Sequence, residues 1–595
     1  MLQNVLMARW FRRALRFSSL KVGLLITTVL LAIYYLMISG RLETAHNLFS
    51  TLDQRVFDEM FRFRGARETT GEIVIVDIDE KSLRELGQWP WPRTDIARIL
   101  KRITADGGAV IGLDIVFAEK DRTSPKNFIP VFEDLLERTL DLDSESLDND
   151  LKLGETMAET PTIVGYYFQM KGDTAGTAPV DVEGSTFPPV LEYCVPVGAI
   201  SEASWEQSDI PEASVPILSI PEIAGFALSE GFFNTEPALS GTVLTVPLFI
   251  EYNDVLYPSL SLEMLRERLG ATPTVCEGDY GIAGVMLDDL MIPTDRHGQV
   301  WVNYRGPPRT FPYVSAVDAL QGRVPDDTFR DKYVLIGTST PGLRDLRTTP
   351  FAKSFPGVEV HANVIDCALA KDLMMHDPPT EIGITLTAVA VGGTLLSAVL
   401  AFAGPVLGGL LGVAMLGFAV AVDYYFFFLG QNLFVGPTYP LATLIIIFTG
   451  VTLANYFLEG REKRFVRGAF SHYVSADVVA ELLRNPDKLS LKGEDRVLTV
   501  MFSDIRGFTG ISESLSASDM SSFLNDYLTS MTDIVMAHQG TVDKFIGDAV
   551  MAIWGAPLDD PEHALNGTRA GMQMLETLES KRREWIERGL PPIHI

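Results

Sequence analysis

The sequence predicts a multidomain membrane protein: a large extracytoplasmic α/β domain, four transmembrane helices and a smaller cytoplasmic domain of strands and helices. Three observations predict it. Of 595 residues, 47% are hydrophobic and 21% charged, too apolar for a disordered chain and slightly too apolar for a purely soluble one. Uncharged stretches long enough to cross a bilayer occur near the N-terminus and again between residues 382 and 457. Charge is also divided unevenly. Residues 41–380 hold 29 basic and 54 acidic residues, a net of −25 out of the chain's −28. Such acidity excludes a nucleic-acid-binding surface, which needs concentrated Lys and Arg. It fits simple solubility at an extracytoplasmic face. Cys194, Cys276 and Cys367 stand in no metal-binding spacing, so a disulfide scaffold and a cysteine zinc site are both excluded.

Residues 1–21 form a basic arm with Arg9, Arg12, Arg13, Arg16 and Lys21 and no acid. Residues 22–40 carry no charge and suit one helical span. A cleaved signal peptide would need a shorter apolar core ending in a small-residue cleavage site, and none is found. Residues 382–422 are again uncharged. That length suits two spans, at 382–403 and 406–426, turning at Gly404-Pro405. A fourth span is predicted over 438–457. Arg461, Lys463, Arg464 and Arg467 follow it. Both basic flanks belong in the cytoplasm, which requires an even number of spans. The expected location is therefore the cell (inner) membrane, multi-pass and in contact with lipid, with both ends cytoplasmic and residues 41–376 outside.

The external region reads as strands alternating with helices. Residues 73–76 form a short β-branched strand ending in Asp77-Ile78-Asp79-Glu80, and a helix follows from Thr94, a plausible N-cap. Residues 109–117 read as a second strand, and 333–336 as a third running into Gly337-Thr338-Ser339-Thr340. This series suggests an α/β sheet with ligand loops at strand ends. Residues 121–240, rich in Pro, Ser, Asp and Glu, read as long insertions. Asp77, Asp79 and Asp114 either line a polar-ligand site or, the preferred reading, cap loops. Trp89 and Trp91 suggest a rigid packed turn rather than a stacking platform. His361 suggests a hydrogen-bonded core residue.

The strings I-V-I-V-D-I-D-E-K-S-L at 73–83, W-P-W-P-R at 89–93, G-L-D-I-V-F at 112–117 and F-P-G-V-E-V-H-A-N at 355–363 resemble the type 2 CHASE domain. That family is an extracytoplasmic sensor attached to bacterial cyclases and histidine kinases. The resemblance implies a sensor module and names no ligand, so the stimulus is unknown.

Residues 458–490 read as a helical connector, with Ser475 as a second N-cap and Asn485-Pro486 as a stop. It either carries movement from the spans or is a plain solvated linker. Beyond it, residues 497–502 form a strand that delivers Ser503-Asp504-Ile505-Arg506-Gly507-Phe508-Thr509 to a helix over about 518–538. Residues 540–555 read as a hairpin turning at Gly547-Asp548. Two such strands can set Asp504 beside Asp548. Paired carboxylates on a polyphosphate site suit Mg²⁺, two ions of which can activate one oxygen and stabilise the leaving one. The Gly507-Phe508-Thr509 turn can offer backbone N–H groups to phosphate.

The strings F-S-D-I-R-G-F-T and D-K-F-I-G-D-A-V-M-A-I-W-G resemble the class III nucleotidyl cyclases over residues 491–595. The resemblance implies an α+β (ferredoxin-like) domain, present only in its N-terminal half. It implies two metal ions per site, Mg²⁺ or Mn²⁺, on Asp504, Asp548 and the Ile505 carbonyl. The turn from Ile505 to Thr509, with Gly507, Phe508 and Thr509, would hold the triphosphate. Lys544 matches the purine contact, and lysine there is the adenine-selecting choice. The implied reaction makes cyclic AMP and pyrophosphate from ATP at a homodimer interface. A second family segment, supplying an Asn and an Arg, is expected beyond Ile595, so a complete chain is expected to be an adenylate cyclase and this chain alone to be inactive. The alternative is a non-catalytic membrane sensor or assembly subunit whose half-domain only dimerises. A diguanylate cyclase fits less well, since only Gly547-Asp548 of its core string is present.

Overall fold

In the computed structural model the described residues are 2–137, 139, 142–171, 194–278, 281–343, 345–403, 405–470 and 495–595, with side chains omitted for residues 2–18, 405 and 458–470. The expected Ser475 cap and Asn485-Pro486 stop lie outside them. The chain forms two compact units, Met1–Thr452 and Leu453–Ile595.

The first unit opens with α1 (Leu2–Ile38) and the stalk helix α2 (Glu43–Arg64). Its centre is a seven-stranded sheet made of β1 (Ile73–Asp77), β2 (Val110–Leu113), β3 (Thr162–Met170), β4 (Ala213–Ile217), β5 (Ser229–Phe232), β6 (Tyr313–Ser315) and β7 (Tyr333–Gly337). The order is β6-β1-β7-β2-β3-β4, and β5 also pairs with β3. Every pairing is parallel except β3 with β4. Side chains alternate between faces along a strand, and here both faces are covered. Val74, Val76, Ile111, Val164 and Ile336 meet α4 (Arg93–Ala105), α5 (Asn149–Ala158) and α7 (Ala316–Gln321). Ile73, Ile75, Val110, Ile163 and Leu335 meet α6 (Leu260–Leu269) and α8 (Gly357–Ala370). Two-sided burial explains why these strands read as continuous apolar runs. At Gly231 in β5, a Cβ would lie 2.6 Å from the Leu260 Cα, so glycine is what lets α6 approach the sheet.

Three expectations are corrected. The second strand covers only Val110–Leu113. The Asp114 amide still donates to the Ile336 carbonyl at 2.9 Å, and the chain then leaves the sheet, with the Phe117 amide on Ser219 Oγ at 3.0 Å. Residues 121–240 are not mainly insertion, because β3, β4 and β5 come from them. The helix expected to start after a Thr94 cap begins at Arg93, with Pro92 in the N-cap place and Thr94 inside. The Arg93 amide instead donates to Asp121 at 2.9 Å.

Among the described residues, four helices are long and apolar enough to cross a membrane: Ser19–Ile38, Pro378–Phe402, Val406–Phe428 and Thr438–Phe457. Leu30, Leu396, Leu400, Leu444, Ile447 and Val451 form a core among them. The last belongs to α9 (Thr438–Phe470), one uninterrupted helix whose Thr438 amide donates to Asp53 of α2 at 2.8 Å. Trp301 stacks on Phe434, just before α9, with ring centroids 5.0 Å apart. α2, the α/β domain and the start of α9 are thus joined directly.

The second unit holds β8 (Thr499–Ser503), α10 (Phe508–Ser514), α11 (Ala517–Ala537), β9 (Thr541–Ile546), β10 (Ala549–Trp554) and α12 (His563–Glu587). The sheet is antiparallel, in the order β8-β10-β9. One face packs on α11 and α12 through Val550, Ala552, Trp554, Tyr527, Met531 and Met574. Val500 and Phe502 of β8 are exposed. Ile593-His594-Ile595, whose pattern suggests the start of a strand, forms none; Ile593 is buried and the Arg506 amide donates to the His594 carbonyl at 2.8 Å.

Candidate active site

In the second unit, β8 ends at Ser503, so the next residues, Asp504 and Ile505, emerge at the end of the sheet. The β9–β10 hairpin turns through Gly547-Asp548, with Ile546 paired to Ala549. Gly547 has φ +66°, the left-handed conformation such a two-residue turn requires. The hairpin returns Asp548 to the end of β8, where its carboxylate accepts the Ile505 amide at 3.1 Å. Asp504 and Asp548 therefore share one end of the sheet. Asp504 is exposed and Asp548 half-buried. Ile505 has a buried side chain, and its carbonyl accepts only a long 3.4 Å bond from the Phe508 amide.

Gly507, at φ +70°, occupies the N-cap position of α10, so Phe508 and Thr509 open a helix of seven residues. Gly507 and Thr509 are exposed and Phe508 half-buried. Lys544 projects from β9, exposed, with its ammonium 3.1 Å from Asp543.

Tyr527 was not anticipated. It is fully buried in α11, and burial raises its phenol above the ordinary value, with the charges of Asp504 and Asp548 adding to the rise. It lies within electrostatic reach of both acids. An isolated Tyr in an amphipathic helix gives no sequence signal for that position. The same helix is braced by Asp526, which accepts Lys581 Nζ at 2.7 Å and Trp585 Nε1 at 2.9 Å. Burial opposes ionisation of Asp526, but these donors hold its carboxyl below the ordinary range.

The donor set is two carboxylates and a carbonyl, all hard oxygen. Among the described residues no group of three or more His, Cys, Asp or Glu gathers to hold a metal by itself. Two carboxylates with open coordination suit Mg²⁺ or Mn²⁺ completed by substrate phosphates, so the residues fit the implied ions.

In the first unit, the three strand-end acids separate. Asp77 accepts Ser339 N at 2.8 Å and Ser339 Oγ at 2.6 Å; burial still raises its pKa. Asp79 caps α3 (Glu80–Leu86), taking Ser82 N at 2.8 Å and the Ser315 hydroxyl at 2.8 Å. Burial opposes those donors, yet they hold Asp79 below the ordinary range. Asp114 faces Asp345 across one cavity. Trp91 is buried, donates Nε1 to the Gly87 carbonyl at 2.9 Å and meets Trp89 edge-on, with centroids 5.3 Å apart. His361 is a core residue on Ser261 Oγ at 2.9 Å, pushed down to about 4 by burial. Other residues of the G-V-E-V-H-A-N string clamp a loop: Glu359 accepts the Arg309 and Thr310 amides, and Asn363 the Arg305 amide at 2.8 Å.

The CHASE2 domain family matches residues 27–401, well over half of the chain. The chain belongs to the CHASE2 domain family. The adenylate and guanylate cyclase catalytic domain family matches residues 491–589, so the CHASE2 sensor shares its chain with a cyclase catalytic domain. Adenylate cyclase 1 of Rhizobium meliloti is 38% identical over 94 residues, 16% of this chain and 14% of that protein. Among solved structures, the adenylyl cyclase CyaB of P. aeruginosa is 39% identical over 16% of this chain and 51% of that one, with TM-score 0.16. The guanylyl cyclase Cya2 is 34% identical over 17% of this chain and 52% of that one, with TM-score 0.17. The chain thus spans about a seventh of the curated relative and half of each solved chain.

Proposed function

We propose that the protein is a membrane-bound adenylate cyclase that converts ATP to cyclic AMP and pyrophosphate, regulated by its extracytoplasmic CHASE2 region. The observation that carries this reading is the return of Asp548 to the Ile505 amide, which sets the two acids of F-S-D-I-R-G-F-T and D-K-F-I-G-D-A-V-M-A-I-W-G at one sheet end. Asp504, Asp548 and the Ile505 carbonyl would hold two divalent ions. When bound, such ions neutralise the triphosphate and lower the pKa of the attacking hydroxyl.

The remaining work falls to the chain. The Ile505–Thr509 turn holds the triphosphate near the acids. Lys544 donates to an adenine ring nitrogen after leaving Asp543. The buried, uncharged Tyr527 adds no charge of its own near the two acids. Catalysis is mainly positioning and charge neutralisation, as in other phosphoryl transfers. The exposed Val500 and Phe502 support burial against a second copy, which suits a homodimeric site. The basic flanks support cytoplasmic placement of the N-terminus and the cyclase domain, with the sensor outside.

The test is cyclic AMP formation from ATP with Mg²⁺ or Mn²⁺ by a complete, membrane-embedded chain. Asp504→Ala abolishes it if the reading is right. Activity retained in that variant would sink the metal assignment, and no turnover under any condition would favour the non-catalytic subunit. Lys544→Glu shifts preference from ATP toward GTP; an unchanged preference would remove the base assignment.

A further inference from the structure

We propose that the CHASE2 region binds a small organic amine in the crevice at the carboxyl ends of β1, β7 and β2, its ammonium between Asp114 and Asp345 and its apolar body against Trp89, Ile115, Val116 and Phe233. The cavity there measures about 250 Å³, room for a small molecule. Its place is the one where parallel α/β sheets bind ligands, outside the strand ends. Its walls are mainly apolar and aromatic with a few convergent polar groups, the usual make-up of a small-molecule site.

Charge selects the ligand class. Asp77 and Asp79, at the end of β1, already accept several donors each. Asp114 meets a second carboxyl, that of Asp345, in a cavity wall. Asp345 lies beside the first turn of α8, where its carbonyl accepts the Gly357 amide at 3.0 Å, and its own cation is Arg347, 3.4 Å away. Among the described residues Arg347 is the one cation acting on the pair.

Burial raises Asp345 to about 6, and burial together with the Asp345 charge raises Asp114 further above the ordinary carboxyl range. Two adjoining carboxyls in such a wall are held together by a shared proton. An ammonium group supplies the same positive charge and three donors. On binding, R–NH₃⁺ takes the proton's place, the proton leaves to solvent, and both carboxylates accept from the nitrogen. A neutral alcohol of the same skeleton brings no charge to replace the proton, and an anion is repelled. The Trp89 ring offers a further attractive face to a cation.

The inference rests on the CHASE2 region acting as a sensor and not on the nucleotide reaction, so it is tested without nucleotide. The full chain in detergent micelles is titrated calorimetrically at about pH 6 with 2-phenylethylamine and n-butylamine, and with 2-phenylethanol as the neutral control. The expected result is binding of at least one amine, with proton release seen as a dependence of the heat on the buffer's ionisation enthalpy. The alcohol binds at least about tenfold more weakly, and Asp114→Asn weakens the amine by a similar factor. Val116→Phe fills the cavity and removes binding while the thermal midpoint stays in place, which covers the case of a misfolded Asp114 variant. Absence of binding by both amines, equal binding of the alcohol, or full binding by either variant overturns the proposal. Failure here leaves cyclic AMP formation untouched.

Discussion

In the CHASE2 unit, Asp77 and Asp79 leave β1 with their carboxylates filled by the donors of Ser339, Ser82 and Ser315. In the cyclase unit, Asp504 leaves β8 exposed and Asp548 accepts one backbone amide. The residue type and its place at a strand end are the same. What differs is the number of donors the fold supplies. Filled carboxylates contribute to the fold, and unfilled ones are left to bind something that the chain does not contain. Asp114 belongs with the second kind although it sits in the first unit.

The largest expected effect breaks the comparison at its functional end. Asp504→Ala lowers cyclic AMP formation at least about a thousandfold, or ~4 kcal/mol of transition-state stabilisation. Its cost to the thermal stability of the cyclase domain stays within about 0.5 kcal/mol, because the side chain is exposed. Turnover assays and a melting curve on one sample check both halves. A large fall in stability would mean that Asp504 is a structural residue after all.

The opposite outcome is expected at Asp366, on α8. It accepts Thr70 N at 2.8 Å and Arg305 Nε at 2.5 Å, and Arg305 is itself buried. Asp366→Ala leaves a buried guanidinium with only Asp372 as a charged partner. The cost is about 3 kcal/mol of sensor stability, at the lower end for a broken buried pair because Asp372 remains. Denaturant midpoints measure it. A change below about 1 kcal/mol would show that Asp372 alone satisfies Arg305.

Much of this division was legible in the sequence, and the illegible part has a physical cause. Asp504, the Gly547-Asp548 turn, the β7 strand and the core role of His361 follow from local pattern, because turn chemistry and alternation are set by neighbours along the chain. The Asp114–Asp345 meeting is not legible, since the end of β2 and the loop beyond β7 are brought together only by the pairing of β7 with β2. The early end of β2 at Leu113 is similar. Residues 114–117 are apolar enough to continue the strand, but Ser219 draws the chain away at Phe117. Strand β3 was hidden because the residues around it are rich in turn formers.

A smaller effect comes from Glu230, buried in β5 with Oε1 lacking a hydrogen-bond partner among the described residues. Burial raises it to about 7 from the ordinary 4.5. The folded state then holds a proton that the unfolded chain gives up, so stability falls as pH rises from about 4.5 through about 7. The loss is on the order of 2 kcal/mol, below the full linkage value because the unfolded reference is itself compact. Glu230→Gln flattens this slope in melting curves taken across the same range. An unchanged slope would assign the pH dependence elsewhere, with Glu263, also raised to about 7 by burial, the next residue to replace.

The smallest effect discriminates most sharply between the two kinds of aspartate. Asp79→Ala removes the cap of α3 and costs about 1 kcal/mol, whereas Asp79→Asn keeps an acceptor for Ser82 N and costs a few tenths. Because its folded-state pKa is depressed, the Asp79 contribution is present above the ordinary carboxyl value and is lost as pH falls through the lower folded one. At Asp548 the same Asp→Asn exchange keeps an oxygen for the Ile505 amide, so stability again changes little. The charge needed for a divalent ion is lost, however, and cyclic AMP formation falls with it. An asparagine tolerated at position 79 and inactivating at position 548, both in folded protein, is what separates a carboxylate kept for its hydrogen bonds from one kept for its charge. If Asp548→Asn were as silent as Asp79→Asn, the acid in the hairpin turn would be only another cap.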